Sequence, residues 1–392
     1  MSSSARTFKG PDSRGPLAIA VGGLIAMASA VGVGRFVYTP ILPSMSAALG
    51  ISKSGAGFIA SANFLGYLVG ALLAATPFVP GSRRTWLVIA LAVSAVTTGA
   101  MGVAFTVTAF MILRFVGGVA SAFGLVFSSA LVLDRLARAQ RAELSAVHFG
   151  GVGTGIALSA ILVAALGARE VDWRTLWLAS GALALLGCIA VATLVPDAAE
   201  PPRPATTVPR RTGRLTSVAV AYGLFGFGYV ITATFLVAIV RESARVRPFE
   251  PAVWVVVGVA AIPSVAVWTW AGRRIGHARA FAAASMLEAA GVVASVLWVA
   301  PAGILLAATL LGGTFMGLTA LGLIQGRELA ASDPRRTLAI MTAAFGLGQM
   351  LGPACAGVLF DVTGTFVTAS LGAAAALVVS ALLSVAPLRT AA

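Results

Sequence analysis

The sequence contains few charged residues. Asp, Glu, Lys and Arg make up only 10% of its 392 residues, whereas 59% are hydrophobic, and the mean hydropathy is +0.97. A soluble domain carries roughly 25% charged residues to keep its surface in water. The composition therefore excludes a water-soluble globular enzyme and predicts a chain that lies in a lipid bilayer.

Lysine, cysteine and histidine are also scarce, and each shortage excludes a kind of chemistry. Lys9 and Lys53 are the only lysines, and neither ends a glycine-rich phosphate-binding loop, so the chain is not expected to hydrolyse ATP. Cys188 and Cys355 lie far apart inside apolar runs, which gives no disulfide framework and, with two separated histidines, no metal-ligand spacing. We predict that the protein is not an enzyme and holds neither a metal nor another cofactor.

Long apolar segments fill most of the chain. Segments of about 20 residues, which as helices cross about 30 Å of hydrocarbon, recur twelve times between short polar breaks. They show no alternation with a period of two, and isolated strands would leave backbone groups unpaired in lipid, so helices are predicted. The first segment is too long for the apolar core of a cleaved signal peptide and is interpreted as a retained span.

The positive charges divide unequally between the two sets of loops. With a cytoplasmic N-terminus, nineteen basic residues fall on the cytoplasmic side and six outside, as the positive-inside rule requires for an even number of spans. The cytoplasmic set is Arg6, Lys9, Arg14, Arg83, Arg84, Arg135, Arg138, Arg141, Arg203, Arg210, Arg211, Arg214, Arg273, Arg274, Arg279, Arg327, Arg335, Arg336 and Arg389. The outer set is Lys53, Arg169, Arg174, Arg241, Arg245 and Arg247. Basic residues that orient the spans in the membrane thus account for the net charge of +14, and no nucleic-acid partner is expected.

The chain divides into two similar halves. A Pro- and Arg-rich linker at 196–214 separates six apolar segments at 17–195 from six at 215–386, with cytoplasmic tails at 1–16 and 387–392. VGVGRFVYTPIL at 31–42 matches FGFGYVITATFL at 225–236, so that Tyr229 stands where Arg35 stands in the first half. Two parallel six-helix repeats are typical of secondary transporters whose substrate site lies between the halves.

Three stretches resemble a known family. GVGRFVYTPILP at 32–43, GFGYVITATFL at 226–236 and AFGLGQMLGP at 344–353 resemble the YbfB/YjiJ group of the major facilitator superfamily, and the resemblance covers residues 17–386. It implies an all-α membrane protein of twelve transmembrane helices in two six-helix pseudo-repeats, located in the bacterial inner (plasma) membrane with both termini cytoplasmic. It also implies secondary transport by alternating access.

Two loops resemble a superfamily signature that is associated with a cytoplasmic gate. PGSRRTW follows the second span and AGRRIGHARA the eighth, although the signature Asp is missing from the first of them. The resemblance implies that the gate is formed by Arg83, Arg84, Arg273 and Arg274.

Two basic residues, Arg35 and Arg114, lie inside apolar spans. A guanidinium in hydrocarbon costs at least about 3 kcal/mol, so it needs a cavity or a partner. The first and fourth helices line the central cavity in the resembled fold, and both arginines are expected at a similar depth. We predict that they bind an anionic group such as a carboxylate. The alternative is that one of them bonds backbone carbonyls or a helix end and only holds the outer gate.

Other candidates are a carboxylate and several uncharged polar residues. Glu288 is the only acidic residue well inside a span and is the candidate for proton coupling, although the ninth helix is peripheral in the resembled fold and Glu288 could simply pack there. The remaining substrate-binding candidates are Tyr38, Asn63, Tyr229, Thr232 and Gln349. Each of these could instead bond a neighbouring helix.

Two transport functions follow, with a third class kept open. One is proton-coupled movement of a small organic anion or amphipathic solute; the other is export of hydrophobic or drug-like compounds by proton antiport. The scarcity of embedded acids argues against a cation exporter. A membrane-embedded sensor or enzyme is the remote alternative. The expected partners are a small-molecule substrate, protons and the lipid bilayer, and the chain is expected to act as a monomer.

Overall fold

A computed structural model describes residues 15–76, 81–197, 215–329 and 334–386. Nearly all of these residues are helical, and the described ranges contain no strand. The predicted terminal tails and the linker lie almost wholly outside these ranges, and the predicted bounds of the two halves stay predictions.

Twelve helical units follow one another within the described residues. The first six are α1 (Pro16–Leu49), α2 (Lys53–Ala74), α3 (Arg83–Ala100), α4 (Val107–Arg138), α5 (Ser145–Gly167) and α6 (Trp173–Leu194). The second six are α7 (Leu215–Glu242), α8 (Glu250–Ala261 with Ser264–Ile275), α9 (His277–Leu297), α10 (Pro301–Leu329), α11 (Pro334–Thr363) and α12 (Val367–Val385). Short 3₁₀ turns occur at Ala142–Leu144 and Arg247–Phe249.

The helices differ in how well they suit a membrane. Within the described ranges, ten are long and apolar enough to cross one, and α8 is an eleventh if its two parts, which are bent by 44°, are counted together. The remaining unit, α3, has 18 residues and begins with Arg83 and Arg84, which lower its mean hydropathy.

The first helix is interrupted near its middle. Pro16–Met27 is α-helical, Ala28–Val33 forms a wider π-helical turn, and a regular helix resumes only at Tyr38. The break precedes Pro40, whose ring nitrogen cannot donate the next helical hydrogen bond. Wide turns of this kind free backbone groups and often occur at functional sites. Here the break exposes the carbonyls of residues 34 and 35 to side chains of other helices.

The two halves pack through glycines at which the backbones nearly touch. A Cβ on Gly57 of α2 would lie 2.2 Å from the Pro353 carbonyl oxygen of α11. A Cβ on Gly258 of α8 would lie 2.4 Å from the backbone nitrogen of Ala157 on α5. Small residues at such crossings let helices approach closely where lipid gives no hydrophobic drive for association.

Gly258→Ala is expected to destabilise the protein by roughly 1–3 kcal/mol, because the added methyl group meets backbone that cannot move aside. The matched control is Gly372→Ala in α12, where a Cβ meets nothing within 4 Å and the alanine gains up to about 1 kcal/mol of helix propensity. Thermal unfolding followed by tryptophan fluorescence should therefore move in opposite directions for the two variants. Equal shifts would show that the α5–α8 crossing is loose.

Candidate functional site

Arg35 lies at the break in α1 and reaches into the interface between the halves. Its Nη2 donates to Oε1 of Gln349 on α11 at 3.2 Å. Its guanidinium carbon stands 4.1 Å from the ring centre of Tyr67 and 4.6 Å from that of Phe64, both on α2. These cation–π contacts hold the flat group in one orientation, and its Nε has no hydrogen-bond partner within the ranges that the structure describes.

Arg114 of α4 has a different set of contacts. Its Nη1 donates to the carbonyl oxygen of Gly34 at 2.9 Å, and its Nη2 donates to that of Arg35 at 2.7 Å. Both carbonyls belong to the interrupted turn of α1, so Arg114 satisfies backbone acceptors that the break leaves open. The two arginines therefore lie side by side. Arg114 makes the backbone contacts expected if it holds the break in α1 together instead of binding a substrate.

The two guanidiniums carry positive charge that no carboxylate of the described residues balances. Arg35 is 5% exposed and Arg114 is 4% exposed. Among the described residues, neither forms an ion pair, and the Nε of each lacks an acceptor. A buried charge is expensive unless a counter-charge or hydrogen bonds receive it. The arrangement suits an anion that supplies that counter-charge.

A hydrogen-bonded chain continues from Arg35 into the second half. Nε2 of Gln349 donates to the Tyr229 hydroxyl oxygen. The Tyr229 ring stacks on Phe225, Phe315 and Phe345, with ring centres 5.0 to 6.0 Å apart. This cluster, Phe225, Tyr229, Phe315 and Phe345, is called the aromatic wall below. Arg35 and Tyr229, which occupy equivalent positions in the two sequence repeats, are thus linked through the Gln349 side chain.

Of three other predicted site residues, Tyr38 and Asn63 hold helices together and Thr232 does not. The Tyr38 hydroxyl donates to the Ala56 carbonyl at 2.8 Å, and Nδ2 of Asn63 donates to the Arg114 carbonyl at 2.8 Å. Thr232 is buried, and its hydroxyl has no partner among the described residues.

The cavity beside the arginines is very small. It has a volume of about 10 Å³, roughly the space of one water molecule. Among its lining residues are Arg35, Tyr38, Phe64, Arg114 and Thr234. Sequence reasoning missed Phe64, although it follows Asn63 on a helix expected to face the cavity. A substrate requires a larger cavity, so the helices must separate to admit one.

Glu288 lies apart from this cavity. The side chain on α9 is fully buried, is absent from the cavity lining, and neither carboxyl oxygen has a hydrogen-bond partner within the described ranges. The Thr314 hydroxyl on α10 faces it and donates to the Leu310 carbonyl at 2.6 Å. Phe281 lies two turns before Glu288 on the same face of α9, and its ring centre stands 6.0 Å from that of Phe225, so this face of α9 borders the aromatic wall.

The arginines predicted to form a gate have described contacts within their own halves. Nη1 of Arg83 lies 3.3 Å from Oδ2 of Asp134 on α4. Arg84 donates from Nε to the Val195 carbonyl at 2.8 Å, at the end of α6. The two predicted gate residues of the second half, Arg273 and Arg274, are exposed, and Arg274 lies over the ring of Trp270 at 5.6 Å. Their gating role stays a prediction.

Ion contacts between the halves occur at the opposite end of the bundle, which we call the Lys53 end. Nζ of Lys53 lies 2.9 Å from Oε1 of Glu242 at the end of α7. The Asp361 carboxylate on α11 accepts from the backbone nitrogens of Lys53 and Ser54 at 3.2 and 3.0 Å. Deeper in the bundle, beside the central cavity, the Thr39 hydroxyl of α1 donates to the Ala233 carbonyl of α7 at 2.7 Å. These contacts close the Lys53 end across the interface.

Reversing the charge of Lys53 should open the Lys53 end. Lys53→Glu places two like charges together, whereas Lys53→Glu with Glu242→Lys restores an ion pair. In a background with Cys188 and Cys355 replaced, we expect a membrane-impermeant thiol reagent to label Thr232→Cys up to about fivefold faster in the single variant. The double variant should return to the starting rate.

The control is Arg245→Glu, an exposed residue at the same end without an ion pair in the described structure. Faster labelling in this control as well would mean that surface charge, and not the Lys53–Glu242 pair, sets the rate.

Comparisons with known proteins agree with this architecture. A family model described as "Uncharacterised MFS-type transporter YbfB" matches residues 27–385. The chain is similar to the solved structure of the nucleoside transporter NupG, with a TM-score of 0.72, 14% identity and coverage of 94% of this chain and 98% of that one. It is also similar to a D-xylose-proton symporter, with a TM-score of 0.71, 16% identity and coverage of 95% and 97%. No curated protein matches by sequence. The predicted all-α membrane fold is confirmed.

Proposed function

The chain belongs to the family of YbfB-type transporters of the major facilitator superfamily, and from this premise we propose that it moves a small organic anion, or an amphipathic solute that carries one, by alternating access. The family indicates a transporter and not an enzyme. We further propose coupling to protons, as symport or antiport, by a monomer in the bacterial inner membrane with both termini in the cytoplasm.

One observation supports the anionic substrate. Arg35 and Arg114 lie together between the halves, buried and without a carboxylate partner in the described ranges. In this proposal Arg35 binds the substrate, since its Nε is free and its plane is held by two aromatic rings. Arg114 positions Arg35 by bonding the backbone of the interrupted turn.

The aromatic wall supports a second candidate function. Four stacked rings border the Arg35 chain on the side of the second half. Flat apolar surfaces of this kind bind hydrophobic ligands, so export of drug-like compounds by proton antiport is the alternative. An amphipathic anion uses both surfaces at once.

A ligand screen tests the proposal. The thermal unfolding of purified protein in nanodiscs would be measured with organic acids, with their amides and alcohols, and with drugs and amino acids. A nucleoside and D-xylose are included because the similar structures are named for them. We expect stabilisation by a carboxylate and none by its amide, followed by uptake of the hit into proteoliposomes. Stabilisation by neutral compounds alone would favour the export function.

A further inference from the structure

A larger cavity lies at the Lys53 end, away from the central arginines. Its volume is about 440 Å³, within the range of roughly 300–1,000 Å³ of pockets that hold small molecules. Residues of α1 and α5 form one side, and residues of α7, the 3₁₀ turn and α8 form the other. The inner walls are apolar and include Val163, Ala164 and Val237.

The rim of this cavity is positively charged. Arg241 is neutralised by Glu250, whose carboxylate receives its Nε at 2.9 Å and also its Nη2. The Nε of Arg247 donates to the Arg241 carbonyl oxygen at 2.9 Å. Both terminal nitrogens of Arg247 are without a hydrogen bond in the described ranges, and the side chain is exposed. One uncompensated guanidinium therefore stands at the mouth of an apolar pocket.

A buried hydrogen-bond donor on the helix that forms the cavity wall is a second observation at this site. The Trp254 side chain of α8 lines the cavity and is 1% exposed, and its buried indole Nε1 has no acceptor in the described part of the chain. Buried indole N–H groups usually have a partner. The helix that forms this wall of the cavity thus carries a buried donor without an acceptor among the described residues.

We propose that this cavity is a second binding site, separate from that of Arg35, for an amphipathic anion with a single carboxylate and an apolar body. The carboxylate binds the two free nitrogens of Arg247, in the bidentate geometry that guanidinium groups favour, and the apolar body lies along α5 and α7. Because both halves contribute walls, an occupant stabilises the arrangement in which the Lys53 end is closed.

Binding of radiolabelled decanoate to the protein in phosphatidylcholine nanodiscs tests this site. We expect Arg247→Gln to weaken binding about tenfold through the loss of charge-assisted hydrogen bonds, and Val163→Trp to abolish binding by filling the cavity. Decanol and decylamine should not displace the label, because neither supplies an anion. The matched control is Arg245→Gln, an exposed arginine of the same segment that does not line the cavity.

Several outcomes would overturn the proposal. Unchanged affinity in both Arg247→Gln and Val163→Trp would place decanoate elsewhere. An equal loss in Arg245→Gln would reduce the effect to surface charge. Loss in Arg35→Gln without loss in Arg247→Gln would assign decanoate to the central site. Displacement by an anionic lysophospholipid at lower concentrations than by decanoate would make the occupant a membrane lipid.

Discussion

Arg35→Gln is expected to weaken binding of an anionic substrate by about 100-fold or more while leaving the protein at least as thermostable as before. A carboxylate bound by two charge-assisted hydrogen bonds loses roughly 1.5–3 kcal/mol for each one removed. Stability should not fall with it, because Arg35 carries a buried charge without a carboxylate partner among the described residues. Replacing such a charge by a neutral side chain often stabilises a protein. Titration of the screened ligand and thermal unfolding measure the two effects separately.

Arg114→Gln is the matched comparison, and we expect it to lower the thermal stability that Arg35→Gln preserves. This substitution leaves the Gly34 and Arg35 carbonyls without the donors that they have now. Each buried acceptor that loses its partner costs roughly 1–3 kcal/mol, so thermal stability should fall clearly. A stable Arg114→Gln protein together with an unstable Arg35→Gln protein would exchange the roles assigned to the two arginines.

Much of the architecture follows from the sequence because it depends on period and composition. Span length, the positive-inside rule and the repeat at an offset of 194 residues predict an all-helical bundle of two related halves. The same offset relates two contacts in the structure: the ion pair of Arg83 with Asp134, and the hydrogen-bond contact of His277 with Glu328 at 2.7 Å. The loop motif predicts Arg273 and Arg274 as the gate residues of the second half, and that role stays a prediction.

The sequence could not distinguish the contacts of Arg35 from those of Arg114. Both are embedded cations, and what separates them is the break in α1, which frees two carbonyls within reach of Arg114. The contacts at the Lys53 end were missed for a similar reason. Lys53 and Glu242 lie in different halves, and each resembles an ordinary solvated residue at a helix end until the packing of α2 against α7 and α11 is known.

Glu288→Gln is expected to abolish the response of transport to an imposed proton gradient while leaving substrate binding unchanged. The carboxyl group is fully buried, and neither oxygen has a hydrogen-bond donor in the described ranges. Since the Thr314 hydroxyl gives its own proton to the Leu310 carbonyl, its oxygen is free to accept one from a protonated Glu288. Glutamine keeps the shape and the hydrogen-bonding capacity but cannot exchange a proton.

Proteoliposomes separate coupling from binding. Accumulation of the substrate driven by a pH difference should disappear in Glu288→Gln, whereas exchange of labelled for unlabelled substrate at equal pH should continue at the native rate. The control is Ser285→Ala, one turn earlier on α9. It removes a buried hydroxyl that also has no partner among the described residues but that neither takes up nor releases a proton near physiological pH. If Glu288→Gln still accumulates substrate in response to the gradient, Glu288 only packs behind the aromatic wall, and coupling must use another group.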